Sequence, residues 1–397
     1  MNITIRTKIV LIFTIILAVT IVLSLYSITV SRDSLADSVG ISSIILAENT
    51  IKRMDNAIYQ NIHDLQLYSR EELIQKTVFN SNTAFQQMDD IQSYVKQRDR
   101  EWISTPQDKE TGFMRNLAAS QLSEDLRNKF VTYWKIKYGY DFYEEIFVTN
   151  KFGANAAQSQ RTSGYYHADE EWWNIARENG FYVSQIEFDE SARTFTIIIA
   201  VSIYDDKEDF AGVIKAVISI KGIIKESEIL SKKYDTTEIQ VITDDGKLIY
   251  SSKPFRFLED LSSQDFYKNI KNKSGYFISK EGEREKLFSY AKSAAYKDFS
   301  GMNWVVITSY DTNEVFKSVH ILRNNILLVS SISILIILVI SIYIYLSITN
   351  PLYKMIEASQ EIAEGNLDKK VDVTSKDEIG QLGEAFNVMT QELKESY

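Results

Sequence analysis

The sequence predicts an α+β protein in which two antiparallel-sheet modules follow a long N-terminal helix, together with two membrane-spanning helices and a parallel helical tail. Three observations indicate this fold class. Residues 9–31 and 324–353 contain no charged side chain, and about 20 apolar residues suffice to cross a bilayer. Between these stretches, short runs rich in Ile and Val alternate with turn residues. After the second stretch, apolar residues recur at spacings of three and four, which is typical of a helical seam.

The first apolar stretch, residues 9–31, follows a short N-terminal segment, residues 1–8. It lacks the small-residue cleavage site of a removed signal peptide, so we expect it to remain as an anchor. We place the second membrane helix at residues 324–348. Residues 32–323 then lie on one side of the membrane, and the tail, residues 349–397, shares the side of the N-terminus. Lys and Arg flank the spans almost evenly, so their distribution does not orient the chain.

The helix of the first span is predicted to continue beyond the membrane. Ile44, Ile51, Ile58 and Leu65 follow one another at intervals of seven residues, with Met54 on the same side. A stripe of this kind is typical of a stalk that pairs with a dimer mate. It is equally typical of a helix that packs against its own domain.

The central segment is predicted to contain two small antiparallel sheets. Its Ile- and Val-rich runs are the predicted strands: 144–150, 194–204, 212–223, 237–241, 248–251, 276–279, 287–295 and 304–309. We divide them between a module distal to the membrane, at about residues 80–225, and a proximal module, at about residues 226–312. A helix at 313–323 then leads from the last strand into the second span.

The tail is predicted to form two helices with narrow apolar seams. The seams are Leu352, Ile356, Ser359 and Ala363 in the first helix, and Ile379, Leu382, Phe386, Met389 and Leu393 in the second. The connector of about ten residues can span about 30 Å, so the second helix can start beside the start of the first and run parallel to it. Two such helices bury little alone, and two copies form a four-helix bundle, so we expect a homodimer.

The tail resembles a HAMP domain, the signal-relay module found just inside the membrane in bacterial and archaeal receptors. The resemblance rests on the opening Pro351, on Gly365-Asn366-Leu367 in the connector, and on Asp377-Glu378-Ile379-Gly380 at the start of the second helix. It implies that the tail and residues 1–8 are cytoplasmic and that 32–323 is extracytoplasmic. The implied relay residues are Pro351, Gly365, Leu367, Glu378 and Gly380.

A long helix followed by two sheets and a return helix resembles the double Cache sensor domain of prokaryotic receptors, which consists of two PAS-like modules. The most specific match is the stretch 165–173, followed by residues 183–192. The resemblance implies a ligand-binding site in the distal module, formed by Tyr165, Tyr166, Glu170, Trp172, Trp173, Glu187 and Asp189. Indole faces attract cations, and carboxylates bind ammonium or hydroxyl groups.

Three departures from the family pattern concern the ligand. Glu170 stands where amino-acid-sensing members have an arginine, Glu187 replaces a tyrosine, and Val217 aligns with an aspartate. These departures disfavour an ordinary α-amino acid and favour a neutral or cationic small molecule. Alternatively, Trp172 and Trp173 fill the distal core, with Asp169 capping their helix.

Several classes of function are disfavoured. The chain has no cysteine and only three histidines, none of them in the tail, and we find no catalytic constellation, cofactor motif or metal site. We therefore expect neither an enzyme nor a complete receptor kinase. The formal net charge of -10 argues against nucleic-acid binding.

The sequence favours the input part of a prokaryotic transmembrane receptor in the cell membrane, of the chemotaxis or two-component type. Its expected partners are a small ligand, a second copy of the chain and membrane lipid. We expect its output domain to be missing, truncated or supplied by a separate cytoplasmic protein such as a kinase or the chemotaxis machinery. The alternative is a membrane-anchored binding or adhesion protein whose tail only dimerises it.

Overall fold

The computed structural model describes residues 5–189, 194–227, 234–372 and 375–396. The chain divides into two compact units. The central unit is Gly40–Thr312, and the terminal unit combines Met1–Val39 with Asn313–Tyr397.

The helices and strands in chain order are as follows. The helices are α1 (Ile5–Tyr68), α2 (Glu72–Gln86), α3 (Ile91–Ser104), α4 (Gly112–Ala118), α5 (Gln121–Leu126), α6 (Tyr133–Tyr138), α7 (Glu171–Asn179), α8 (Ile220–Ser227), α9 (Thr312–Val315), α10 (Lys317–Ile344), α11 (Asn350–Ala363) and α12 (Glu378–Ser396). The strands are β1 (Tyr143–Asn150), β2 (Asn155–Gln158), β3 (Phe181–Val183), β4 (Glu187–Asp189), β5 (Thr194–Tyr204), β6 (Phe210–Ser219), β7 (Glu238–Ile242), β8 (Leu248–Ser251), β9 (Ser274–Glu281), β10 (Arg284–Lys292) and β11 (Val305–Asp311).

The distal sheet has the strand order β2-β1-β6-β5-β3, and β4 also pairs with β5. All its described pairings are antiparallel. Successive residues of a strand point to opposite faces of the sheet. Ile146, Ile214 and Ile199 therefore share one face and are buried against α1, whereas Phe147 and Val213 lie on the opposite face with α7.

The proximal sheet has the order β8-β7-β11-β10-β9 and is also antiparallel. Val241 and Val306 face α1 and belong to the same apolar core as the distal sheet. The opposite face, which includes Phe288, is covered by Leu261 and Phe266 from the loop between β8 and β9.

Helix α1 packs against both sheets. Ile51, Met54, Ile58 and Leu65 are each at most 3% exposed and belong to the core that contains both sheets. In this part of the helix, the apolar stripe therefore packs against its own domain. Asp55, on the same helix, accepts a hydrogen bond from the Ser293 hydroxyl at 2.7 Å. Burial raises the pKa of Asp55, although its hydrogen bonds oppose that shift.

The predicted strands overlap observed strands, with one clear difference in type. The strand predicted at 212–223 ends at Ser219, and α8 begins at Ile220. Ile223 and Ile224 belong to this helix and are buried, so these apolar residues form the buried face of a helix and not part of a strand. The structure also contains the short strands β2, β3 and β4, which are too short to produce a recognisable alternation.

Among the described residues, two helical segments are long and apolar enough to cross a membrane. These segments are Val10–Tyr68 and Lys317–Ala363. The second is continuous because α10 passes through a π-helical turn, Tyr345–Thr349, into α11.

Helices α11 and α12 run parallel, as the connector length predicted. Pro351 and Gly380, near the two helix starts, line one small cavity. At the other end, the Lys394 ammonium lies 2.5 Å from a carboxylate oxygen of Asp368. Val371 of the connector packs between the helices, against Met355 and other apolar side chains.

A buried ionic cluster lies on the proximal sheet. Glu238 is 8% exposed and Lys286 is 6% exposed. The Glu238 carboxylate lies 2.8 Å from the Lys253 ammonium and 3.2 Å from that of Lys286, which also contacts Glu281. Burial raises the pKa of Glu238, but its bonds to the two lysines outweigh burial and hold the pKa below its usual value.

We expect Glu238→Gln to destabilise the central unit by about 3 kcal/mol at pH 7, because it removes one partner of a buried lysine. Since the pKa of Glu238 is lowered in the folded state, its ionised form stabilises the fold above the unfolded pKa of 4.5. That contribution is lost as the pH falls through the pKa of Glu238 in the folded protein. The difference in the free energy of unfolding between variant and wild type should therefore become smaller below pH 4.5.

Thermal melting followed by tryptophan fluorescence measures this effect, because all five tryptophans lie in the central unit. Asp265→Asn is the matched control, since its ion pair with Lys268 is exposed and should contribute less than about 1 kcal/mol. Equal melting temperatures for wild type and Glu238→Gln at pH 7 would contradict the expected role of this cluster.

Candidate functional site

Helix α7 places two adjacent tryptophans on the face of the distal sheet that does not contact α1. Trp173 is 2% exposed, and its indole N–H donates to the Thr149 hydroxyl at 2.9 Å. Its ring packs edge-on against Phe210, with the ring centres 5.5 Å apart. Trp172 is 5% exposed and packs edge-on against Phe147. Both indoles therefore belong to an apolar cluster on this face.

Glu170 connects the loop before α7 to Trp172. Its carboxylate accepts from the Trp172 indole N–H at 2.5 Å and lies 2.6 Å from His167 Nδ1. Burial raises the pKa of Glu170, but the contacts with His167 and Trp172 and the charge of Lys215 outweigh burial and lower the pKa. His167 is 1% exposed, and its Nε2 has no partner among the described residues.

Tyr165 and Tyr166 lie before this loop and pack in another direction. Tyr165 is buried in a separate cluster with Trp102 and Phe113. Burial raises the pKa of its phenol. The backbone N–H groups of both tyrosines donate to one carboxylate oxygen of Asp99. These contacts hold the segment in place beside the sheet.

A cavity of about 580 Å³ opens on the same face as α7, over β6, β5 and β4. This volume falls within the usual range for small-molecule sites. Its lining combines apolar, polar and charged side chains: Gln107, Glu145, Arg161, Ser163, Glu187, Phe188, Thr196, Ile198, Lys215 and Val217.

The strand register explains why these side chains meet. Glu145 is opposite Val217, which is opposite Ile198, and Thr196 is opposite Glu187. Because side chains alternate between faces, all five residues lie on the face that does not contact α1. The cavity is therefore formed largely by one side of four neighbouring strands.

Arg161 connects the cavity wall to the end of α3 and to the segment after it. Its guanidinium donates to the backbone carbonyls of Trp102 and Thr105, both at 2.6 Å, and to those of Pro106 and Lys109. The buried Nε of Arg161 has no partner in the part of the chain that the structure describes.

Among the described side chains predicted to bind ligand, Glu187 lines this cavity. Glu170, Trp172 and Trp173 lie on the same face of the sheet but are not part of the lining, and the two tyrosines lie to the side. Asp189 ends β4, and its side chain lies outside the described part of the structure. Their contact with a ligand stays a prediction.

Sequence reasoning missed most of the cavity lining. Two-residue alternation through the predicted strands 144–150 and 212–223 would have placed Glu145, Lys215 and Val217 on one face. Arg161, Ser163 and Gln107 had no such signal, because they lie in irregular segments that only tertiary packing brings to the sheet. Within the described residues, no group of three His, Asp or Glu side chains could hold a metal ion.

The predicted relay residues occupy helix starts and the connector. Pro351 stands in the first turn of α11, and Gly365 adopts a positive φ of 101° after its end. Leu367 is half-buried in the connector, and Glu378 begins α12. Asp377 accepts from the backbone N–H of Gly380 at 3.2 Å, and a Cβ at Gly380 would collide with the Ser375 carbonyl. Their role in signal relay stays a prediction.

Comparison with protein families identifies a HAMP domain at residues 343–395. A probable methyl-accepting chemotaxis protein of Bacillus thuringiensis is 26% identical over 276 residues, covering 68% of this chain and 39% of that protein. The methyl-accepting chemotaxis protein McpA of Bacillus subtilis is 24% identical over 238 residues, covering 58% of this chain and 34% of that protein. The chain thus spans less than two fifths of the length of these relatives.

Among solved structures, the ligand-binding domain of the amino acid chemoreceptor PctB of Pseudomonas aeruginosa, in complex with L-Arg, is 12% identical, with a TM-score of 0.43. The alignment covers 70% of this chain and 97% of that domain. The corresponding domain of the Pseudomonas fluorescens chemoreceptor CtaA, in complex with L-serine, is 11% identical, with a TM-score of 0.43, and covers 71% of this chain and 100% of that domain.

These findings confirm the predicted HAMP domain and the resemblance to chemotaxis receptors. The relatives are signal transducers. The mixed helical and antiparallel fold with two sheets on one long helix is also confirmed. Two helices long and apolar enough to cross a bilayer support a membrane location.

We expect Trp173→Ala to destabilise the central unit by about 3–5 kcal/mol, because it leaves a large void between α7 and the sheet. Glu187→Gln, on the exposed cavity edge, should change stability by no more than about 0.5 kcal/mol. Thermal melting of the two variants, followed through the remaining tryptophans, measures both effects. A similar melting temperature for Trp173→Ala and wild type would show that this indole is not a core residue.

Proposed function

We propose that this chain is the input part of a transmembrane chemoreceptor that binds a small molecule in the distal cavity. The observation that carries this proposal is the cavity itself. It lies on one face of a sheet whose other face is packed on α1, and α1 continues without a break into the first apolar span. A ligand that moves these strands therefore acts on an element that enters the membrane.

The second apolar helix gives a further route for the signal. Strand β11 is followed at once by α9 and α10, and the helical segment Lys317–Ala363 extends from there into the HAMP domain. Receptor helices of this kind transmit shifts of about 1–2 Å. A ligand must favour one arrangement by about 1.4 kcal/mol to change the ratio of the two states tenfold.

The receptor acts as a homodimer in this proposal. Along the two HAMP helices, four large apolar seam residues are exposed in a single chain: Ile356 (55%), Leu382 (51%), Met389 (50%) and Leu393 (40%). A second copy of the two helices covers these side chains in a four-helix bundle.

We propose the following arrangement in a prokaryotic cell membrane. Residues 32–323 are extracytoplasmic, with spans at 9–31 and 324–348, and residues 1–8 and 349–397 face the cytoplasm. The output is delivered by a cytoplasmic signalling partner, and the relatives' names favour the chemotaxis machinery.

A functional test fuses the whole chain to the signalling domain of a characterised chemoreceptor. A thermal-shift screen of the full chain against a metabolite library first supplies a ligand. We expect this ligand to change the output of the fusion and Gln107→Trp, which fills the cavity, to abolish the change. Gln86→Trp is the matched control, because Gln86 is also exposed but lines a different groove beside α2.

Two outcomes would contradict the proposal. An unchanged response in Gln107→Trp would place the ligand elsewhere. Ligand binding without any change in output would instead support a membrane-anchored binding protein whose tail only dimerises it.

Cysteine crosslinking tests the dimer, and the chain has no native cysteine to interfere. We expect Ile356→Cys and Leu382→Cys each to form a disulfide between two copies in membranes under mild oxidation. Glu357→Cys and Gln391→Cys, which lie on the same helices but are turned away from the apolar seams, should react much less. Equal crosslinking at seam and control positions would contradict a specific four-helix bundle.

A further inference from the structure

The charges around the distal cavity are not distributed evenly. This asymmetry bears on the kind of ligand that the cavity takes, and the inference rests on the function proposed above. The argument concerns Lys215 on β6 and Glu187 on β4, which both line the cavity.

The Lys215 ammonium has aromatic neighbours and forms no salt bridge among the described residues, although its charge lowers the pKa of the nearby Glu170. Its Nζ lies 4.7 Å from the centre of the Trp172 ring and 5.3 Å from that of Phe147. Glu170 is the nearby carboxylate, but its two oxygens are engaged with His167 and the Trp172 indole. A half-buried ammonium without hydrogen-bond acceptors is costly, so a ligand that supplies acceptors here gains affinity.

The β4 side of the cavity carries the opposite charge. The side chain of Glu187 is exposed, and among the described contacts its carboxylate forms no ion pair. The other two charged residues of the lining, Glu145 and Arg161, already have partners within the protein. Glu145 interacts with other groups of the protein, and Arg161 is bonded to four backbone carbonyls.

Lys215 and Glu187 lie at opposite corners of the cavity. Lys215 is opposite Ala200 on β5, and Glu187 is opposite Thr196 on the same strand. Their backbone positions are therefore separated by about 13 Å along the strands and about 10 Å across them. Val217 and Ile198 line the cavity between them.

We propose that the cavity binds a bipolar small molecule, with an oxyanion on Lys215, an ammonium group on Glu187 and an aliphatic middle over Val217 and Ile198. This is narrower than the neutral or cationic ligand favoured by the sequence, because Lys215 repels a cation from one end. Hydrogen bonds between ionised groups are about twice as strong as neutral ones, so the two ends fix the orientation of the ligand.

The test compares straight-chain compounds of equal length that differ only in their ends. The series are ω-amino acids, dicarboxylates, diamines and diols, each with three to six carbons, added to the full chain in detergent while melting is followed by tryptophan fluorescence. We expect an ω-amino acid to raise the melting temperature most. Lys215→Met should weaken its binding at least tenfold, whereas Lys221→Met, at an exposed lysine of α8, should not.

A charge reversal separates recognition from a loss of packing. Lys215→Glu places carboxylates at both ends of the cavity, so it should make a diamine the preferred compound. Loss of packing alone would weaken all four series equally.

The proposal is overturned if no ω-amino acid stabilises the protein, if a diamine or dicarboxylate of the same length stabilises wild type more, or if Lys215→Met binds as wild type does. These results are distinguishable from a failure of the cavity as a site. If a library ligand is lost in Gln107→Trp but unaffected in Lys215→Met, the cavity is the site and the bipolar assignment is wrong. If Gln107→Trp also has no effect, the site itself is wrong.

Discussion

The packing of α1 against both sheets is the interaction on which the rest of the structure depends. One apolar face of this helix, from Ile51 to Leu65, is buried in a core shared by the distal and proximal sheets. Since each sheet uses one face for this contact, only its other face is available for another role. The same helix continues to Ile5, so the element that joins the two sheets also carries the first apolar span.

On each sheet, the face that does not contact α1 is covered by different groups. On the proximal sheet, aromatic side chains such as Phe288 meet Leu261 and Phe266, and a buried ionic cluster around Glu238 lies on the same face. On the distal sheet, α7 covers one part of the face with Trp172 and Trp173. The smaller side chains Thr196 and Val217 leave space in the remaining part, which becomes the cavity.

This division explains why the candidate site could be predicted only in part. The aromatic pair of α7 lies on the same face of the same sheet as the cavity, but both indoles are buried in the cluster that fills one end of that face. Glu187 was predicted and lines the cavity, whereas Lys215 was not considered, although its strand was. Arg161 and Gln107 come from segments without periodicity, so no pattern in the sequence locates them.

The sequence alone determined the α+β class, the two apolar spans, the HAMP tail and the positions of the long strands. The fold class, the spans and the strands follow from composition and from periodicities of two, three and four residues, which act over a few turns of chain. The HAMP tail was identified by its resemblance to a family motif. The tertiary structure decided that the stripe on α1 faces its own sheets, that α8 replaces the end of a predicted strand, and which charges share the cavity. These outcomes depend on strand register and on packing between residues far apart in the chain, which local patterns do not encode.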